Sequence, residues 1–319
     1  MSDVFTDALN SPAGRLVEVL LKKLPAGSDK NVLPLELRQR LDKVVDAPGR
    51  PGHLARVRLA AEVSLLFERV PDWTKKKVLP LFDGSSADAP DMWSARKYSN
   101  YIGSPELFGL AKQPFLEMFS RSDASAEGLR TFSEWLTAIL IANQAHQAGY
   151  PLSPTEARAA LRQAGVQALS SVGHRLATEM GGGTPEQKAV RWRTVVGPVF
   201  QAIWPLDIEL QTSATTYKLA QILMATGDAF PEAADVIIPF IRPDEKRAHS
   251  TVFSIAEASA ELYESSPGRM LDLVAAVVGD ASPGSVYALA KALDRIRAVN
   301  PKLANTRKFK KLIESAAVA

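Results

Sequence analysis

The chain has 319 residues, 46% hydrophobic and 23% charged, so it is long enough to bury a core and has a globular composition. It contains no cysteine, which excludes a disulfide framework, a thiolate nucleophile and a zinc–cysteine site. Its 38 basic and 35 acidic residues leave a net charge of only +3, which is weak support for a nucleic-acid-binding surface.

The sequence carries no signal for membrane insertion or export. No apolar run approaches the ~20 residues needed to cross a bilayer. The first residues lack the basic segment and apolar core of a signal peptide. We therefore expect a cytoplasmic protein that has no contact with a membrane.

Helix-start signals recur along the chain. Predicted helices begin where a hydroxyl residue directly precedes a proline, at Ser11, Ser104, Ser153, Thr184 and Ser266. The hydroxyl can accept a hydrogen bond from a free N–H of the first turn, and proline suits the first helical position because its missing donor is not needed there. Thr184 is also followed by Gln187, which completes a capping box.

Apolar residues then recur at helical spacing. One predicted face consists of Trp192, Val195, Val196, Val199, Phe200 and Ile203. No alternating strand or hairpin-turn signal is found. The pattern predicts an all-α protein of about fifteen helices, at 12–24, 34–46, 53–69, 72–82, 90–99, 105–120, 126–147, 154–163, 165–180, 185–204, 213–226, 230–241, 247–264, 267–279, 284–299 and 301–316.

An internal repeat is the most informative feature of the sequence. Residues 59–82 and 216–241 each contain an apolar helix, a short turn with proline and a second helix. Each second helix ends in apolar-Pro-apolar-apolar, as Leu79-Pro80-Leu81-Phe82 and Ile238-Pro239-Phe240-Ile241. Residues 255–278 form a looser copy. This spacing is typical of helix-pair solenoids.

The repeat predicts an α-solenoid of stacked antiparallel helix pairs (HEAT-like), because one pair cannot bury its own apolar face. We expect residues 1–319 to form a single helical-repeat domain, which could subdivide near 181–184, where three glycines precede a helix. An irregular helical bundle is the alternative.

The residue types that carry catalysis are not arranged as known sites require. The four histidines, His53, His146, His174 and His249, lack the i+4 and Glu-x-x-His spacings of metal sites. No phosphate-binding glycine loop or nucleophile elbow is found. We therefore expect no enzymatic activity, no cofactor and no metal.

Three charged clusters have ordinary explanations. Glu257, Glu261 and Glu264 share one helix face, which is typical of a solvated surface. The three lysines at 75–77 spread around their helix, and the basic residues at 307–311 lie in the last helix, where positive charge is favourable. A nucleic-acid role for either basic cluster is the minor alternative.

Several segments resemble the helical, HEAT-like C-terminal region of bacterial anti-phage defence proteins that carry sirtuin-like domains. The similar segments are 8–21, 70–83, 199–207 and 226–240. None of them is a catalytic motif. The resemblance implies a region that senses a trigger or restrains an effector, whereas the chemistry belongs to a separate domain. No such domain precedes the helices in this sequence.

These observations predict a non-catalytic protein-interaction module, whose partner would be an effector subunit or a phage component. The alternative is a nucleic-acid-binding helical repeat. In a helix-pair solenoid the second helices form a continuous surface, and their charges here are of mixed sign, which suits a protein partner. The partner-binding residues that we predict on them are Lys75, Lys76, Glu232, Asp235, Arg269 and Asp272.

Overall fold

The computed structural model describes residues 3–25, 32–99, 102–121, 125–243 and 245–316. The predicted all-α class is confirmed, because this part of the chain contains twenty α-helices, five 3₁₀ segments and one π-helical segment. β-pairing within these ranges is limited to one isolated parallel bridge, between Val286 and Ala316. None of the described helices is both long and apolar enough to cross a membrane.

The α-helices are α1 (Val4–Asn10), α2 (Pro12–Leu21), α3 (Leu35–Val45), α4 (Gly49–Ala61), α5 (Val63–Arg69), α6 (Pro71–Lys77), α7 (Ala89–Arg96), α8 (Pro105–Glu117), α9 (Ala126–His146), α10 (Pro154–Ala164), α11 (Val166–Glu179), α12 (Pro185–Arg191), α13 (Gly197–Ile203), α14 (Ser213–Met224), α15 (Phe230–Ile237), α16 (Glu245–Ala256), α17 (Ala260–Ser265), α18 (Pro267–Val278), α19 (Leu289–Val299) and α20 (Arg307–Ser315). The 3₁₀ segments are Leu79–Phe82, Ile208–Leu210, Gly227–Ala229, Ile238–Phe240 and Pro301–Asn305, and the π-helical segment is Trp192–Val196.

The expected number of about fifteen helices is too low for the described residues. The predicted helix 53–69 is divided between α4 and α5 at Glu62, where φ is −100° and ψ is 16°. The predicted helix 247–264 is likewise divided between α16 and α17. Apolar residues spaced three or four apart continue across such short breaks, so the spacing did not reveal them.

The predicted helix-start signals form real caps at four of the five positions. Ser11 Oγ accepts from Gly14 N at 2.9 Å, and Ser104 Oγ accepts from Leu107 N at 3.2 Å. Thr184 forms the predicted capping box, in which both reciprocal hydrogen bonds are present. At α18 the side chain of Ser266 makes no cap hydrogen bond.

The fourth cap, before α10, is reinforced by an ion pair. Ser153 Oγ accepts from Glu156 N at 3.2 Å, and the Glu156 carboxylate accepts from Ser153 N and Oγ, both at 2.8 Å. Lys112 Nζ lies 2.8 Å from the same carboxylate. The hydrogen bond from Lys112, followed by those from Ser153, lowers the pKa of Glu156 to about 2.

The chain forms two compact units, residues Met1–Trp135 with Ala148–Glu156 and residues Leu136–Gln147 with Ala157–Ala319. The subdivision predicted near 181–184 lies within the second unit. There the glycine turn is held by Arg191, whose guanidinium donates to the carbonyls of Glu179 at 3.1 Å and Gly181 at 2.6 Å.

The core of the first unit lies around α4 and an aromatic cluster. Helix α4 contacts α1, α2, α3 and α7. Trp93 of α7 is at the centre of the cluster, with ring centroids 4.9 Å from Phe82, 5.7 Å from Phe132 and 5.8 Å from Phe115. Its indole N–H donates to the carbonyl of Phe82 at 3.1 Å, so the polar atom of this buried ring is paired.

In the second unit, helices contact each other in two successions. Helix α11 contacts α14, α14 contacts α16, and α16 contacts α19. Helix α15 contacts α18, which contacts α20. From α14 onwards, members of the two successions alternate along the chain, and buried aliphatic side chains such as Leu219, Val252 and Val274 lie in their helices.

The segments that repeat in the sequence adopt similar local structures. Helices α6 and α15 have proline at their first or second position, and each is followed by a 3₁₀ turn formed by the apolar-Pro-apolar sequence. These turns correct the prediction of α-helix up to residues 82 and 241. Proline interrupts the α-helical hydrogen bonds because it has no N–H and its ring clashes with a preceding carbonyl.

We expect Trp192→Ala or Phe200→Ala to lower the free energy of unfolding by about 3–5 kcal/mol, because each deletion leaves a large cavity. Both side chains are buried, as the predicted face requires. Denaturant unfolding followed by circular dichroism measures the loss. The control Val190→Ala removes an exposed side chain nearby and should cost under ~0.5 kcal/mol. Losses below about 1 kcal/mol at both sites would contradict the packing described.

The Glu156 cap should make stability depend on pH. Because the pKa of Glu156 falls to about 2 on folding, its carboxylate stabilises the folded state above the ordinary pKa of 4.5. This contribution is lost as the pH falls through the folded pKa. The free energies of unfolding of wild type and Glu156→Gln should therefore differ most above about pH 5 and converge towards pH 2. For the exposed Glu209→Gln control, we expect little difference at any pH.

Candidate functional site

The six charged residues predicted to bind a partner are divided between the two units. Lys75 and Lys76 lie on α6 in the first unit. The other four lie in the second unit, with Glu232 and Asp235 on α15 and Arg269 and Asp272 on α18.

Together with Arg193 and Lys308, the four residues of the second unit form a ladder of ion pairs, most of which join helices that lie side by side. Arg193 Nε lies 2.7 Å from Glu232 Oε1, and Arg269 Nη2 lies 2.5 Å from Asp235 Oδ1. Asp272 is paired with Arg269 at 3.2 Å and also with Lys308 of α20. The mixed signs that favoured a protein partner are thus also the signs of internal pairs between neighbouring helices.

The two predicted lysines of the first unit differ in their surroundings. Lys75 Nζ lies 2.9 Å from Glu106 Oε1 and 5.4 Å from the centre of the Phe67 ring. Lys76 is exposed and lines a recess of about 530 Å³ beside Asp42 and Trp73. Lys76 is therefore the more accessible of the pair.

The histidines have separate environments. The two ring nitrogens of His53 face Asp88 at 2.9 Å and Asp91 at 2.8 Å, which links α4 to α7. Partial burial raises the pKa of Asp88, but hydrogen bonds from Arg56 and His53 outweigh it and the net pKa is lowered. His146 and His174 are exposed, whereas His249 Nδ1 accepts from Tyr287 N at 3.1 Å. Among the described residues, no group of three His, Asp or Glu side chains is arranged to hold a metal ion.

The charged clusters noted in the sequence are partly paired. Glu257 forms an ion pair with Lys291. In the last helix, Lys308 pairs with Asp272 and Lys311 pairs with Asp280. These pairs remove part of the positive charge that a nucleic-acid surface would need.

An apolar groove in the first unit was not anticipated. It lies between α2, α3 and α4 and has a volume of about 380 Å³. Leu16 and Val19 of α2 line it although each is half exposed, at 51% and 50%. The sequence does indicate an exposed apolar surface on α2. This helix also buries Val17, Leu20 and Leu21, so apolar residues occupy more than one of its faces.

Basic side chains surround this apolar groove. Lys23, Arg40 and Lys43 line it together with the apolar residues. Arg40 pairs with Glu36, whereas Lys23 and Lys43 have no ion pair with any described residue. The groove thus combines exposed aliphatic surface with uncompensated positive charge.

Comparison with known proteins gives one distant relative. The chain is 23% identical over 317 residues to the uncharacterized protein y4cA of Sinorhizobium fredii. The match covers 97% of this chain and 26% of the relative, so the chain spans about a quarter of that protein's length. No protein-family model matches the chain. No solved structure is significantly similar to it.

Variants of the Arg193–Glu232 ion pair can show whether Glu232 only stabilises the fold or also binds a partner. Glu232→Arg should cost up to about 1 kcal/mol, because the pair is half exposed, and the swap Arg193→Glu/Glu232→Arg should recover most of that loss. Denaturant unfolding measures both effects. If Glu232 also contacts a partner, the swapped variant should fail to capture from cells the proteins that the wild-type chain captures. Full capture by the stable swap would exclude Glu232 from a binding face.

Proposed function

We propose that this chain is a non-catalytic protein-interaction module built from stacked, HEAT-like helix pairs. The two successions of helix contacts in the second unit and the shared apolar-Pro-apolar turns support this arrangement. The proposal that the chain binds another protein rests on the apolar groove of the first unit. Aliphatic side chains left half exposed beside a groove are typical of an interaction site.

The chemistry of the apolar groove favours one kind of occupant, an amphipathic helix of another protein. Leu16 and Val19 present aliphatic surface from adjacent turns of α2, which suits the apolar stripe of a helix laid into the groove. Lys23 and Lys43 are complementary to acidic residues on the flanks of that helix. An acidic amphipathic helix therefore satisfies both features.

We further propose a sensing or regulatory role within a larger bacterial defence system. The resemblance to the helical regions of anti-phage proteins supports this role, because in those proteins such regions accompany a separate effector domain. The similarity to one quarter of a much longer bacterial protein is compatible with it. The partner would be an effector subunit or a phage component.

Site-specific cross-linking tests the proposal, because the chain has no cysteine of its own. Val19→Cys, labelled with a benzophenone maleimide, places a photo-reactive group in the apolar groove. We expect it to cross-link to an acidic amphipathic helix of another protein, identified by mass spectrometry. Leu110→Cys is the matched control, since Leu110 is 49% exposed on α8 and does not line the groove.

A second pair of variants tests the contribution of the groove to affinity. With the cross-linked partner purified, Leu16→Ser/Val19→Ser should weaken binding at least tenfold, which corresponds to about 1.4 kcal/mol. The similarly exposed pair Leu110→Ser/Val190→Ser should leave affinity unchanged. Equal cross-linking from residues 19 and 110, or unchanged affinity of the groove variant, would refute this binding site.

A further inference from the structure

A polar groove in the second unit differs in chemistry from the apolar groove described above. It lies along α11, α14 and α16 and has a volume of about 600 Å³. Three of its lining side chains can carry positive charge, namely His174, Lys188 and Lys218. None of the described residues that line it is acidic.

The two lysines of the polar groove differ in their partners from several other basic residues of the second unit. Elsewhere in that unit, Arg193, Lys291 and Lys308 each pair with a carboxylate. Lys188 and Lys218 have no carboxylate partner among the described residues, although both are partly buried. Two uncompensated ammonium groups in one groove repel each other and attract an anion.

The position of Lys218 is fixed by neutral groups. A Cβ at Gly173 of α11 would lie 2.9 Å from the Cβ of Lys218, so only glycine lets the lysine stem pass this closely over α11. Lys218 Nζ donates to Gln221 Oε1 at 3.1 Å and lies 5.3 Å from the centre of the Tyr217 ring. These contacts orient the ammonium group without neutralising its charge.

The remaining lining indicates the size and character of the anion. Ser254 and Ser259 supply hydroxyl groups that can donate to phosphate oxygens, whereas the hydroxyl of Thr178 already donates to the carbonyl of His174 at 2.9 Å. Met224 and Leu262 supply apolar surface in the same groove. The volume lies within the range of small-molecule sites, about 300–1,000 Å³.

We propose that the polar groove of the second unit binds a phosphorylated small molecule of nucleotide size. Lys188 and Lys218 would hold the phosphate groups, the hydroxyl side chains would donate to phosphate or sugar oxygens, and the apolar surface would contact the uncharged end of the ligand. This proposal does not rest on the binding role proposed for the apolar groove, because the two grooves lie in different units and share no lining residue.

A small anion fits this groove better than a nucleic-acid strand. Glu261 is exposed and lies two residues beyond Ser259, which lines the groove. A polyanion that continued past Ser259 would approach this carboxylate and be repelled. A short ligand confined to the groove avoids it.

Isothermal titration with ATP, inorganic pyrophosphate and adenosine tests the assignment. We expect ATP to bind more tightly than pyrophosphate and adenosine not to bind, because the lysines recognise phosphate. Lys188→Gln/Lys218→Gln should weaken ATP binding about tenfold or more. The control Lys302→Gln/Lys310→Gln removes the same charge from two exposed lysines of the same unit and should leave the affinity unchanged.

Other results of the titrations would contradict the proposed phosphate site. Absence of ATP and pyrophosphate binding up to about 1 mM overturns the proposal, as does equal weakening by the control variant. Tighter binding of a short oligothymidylate than of ATP, lost in the groove variant, would assign the groove to nucleic acid instead. Lys188→Gln alone provides the test if the double variant does not fold, since its ammonium group makes no ion pair within the described residues.

Discussion

Burial of one apolar face of each helix against a neighbour holds this chain together. Among the described helices only α9 exceeds fourteen residues, and isolated helices of about 12–15 residues or fewer are marginal in water. Tertiary packing therefore has to stabilise them, through buried residues such as Leu219 and Leu223 in α14. The rest of the architecture, including both grooves, is built on that packing.

The all-α class and several helix starts could be predicted from local chemistry. Caps at Ser11, Ser104, Ser153 and Thr184 depend on residues close in sequence, so the sequence identified them directly. The breaks at Glu62 and between α16 and α17 could not be predicted, because the apolar faces on both sides of each break are buried alike. The π-helical segment at Trp192–Val196 has no recognisable sequence signal either.

The candidate sites were harder to predict than the fold. The sequence predicts Glu232 and Asp235 as partner-binding residues, because charged residues on the second helices of a solenoid are accessible to partners. Residue spacing alone cannot show that Arg193 and Arg269 lie opposite them. The apolar groove depends on how α2, α3 and α4 meet, and the polar groove on how α11 and α14 meet at Gly173. Both arise from contacts between residues far apart in the sequence.

The two grooves show how one helical architecture can offer chemically distinct surfaces. In the second unit, individual exposed ion pairs such as Arg193–Glu232 contribute little free energy. Charge is uncompensated at Lys188 and Lys218 in the polar groove and at Lys23 and Lys43 in the apolar one. A ligand could pair with these lysines without disturbing the packing of the buried residues.

The arginine that holds the glycine turn has a consequence for degradation. Exposed turns rich in small residues are where proteases first cut folded chains, because the backbone there can enter an extended active site. Arg191 ties down the carbonyls of Glu179, Gly181 and Gly182, so that backbone is already engaged within the protein. We therefore expect this side chain to slow proteolytic cleavage between α11 and α12, which carry His174 and Lys188 of the polar groove.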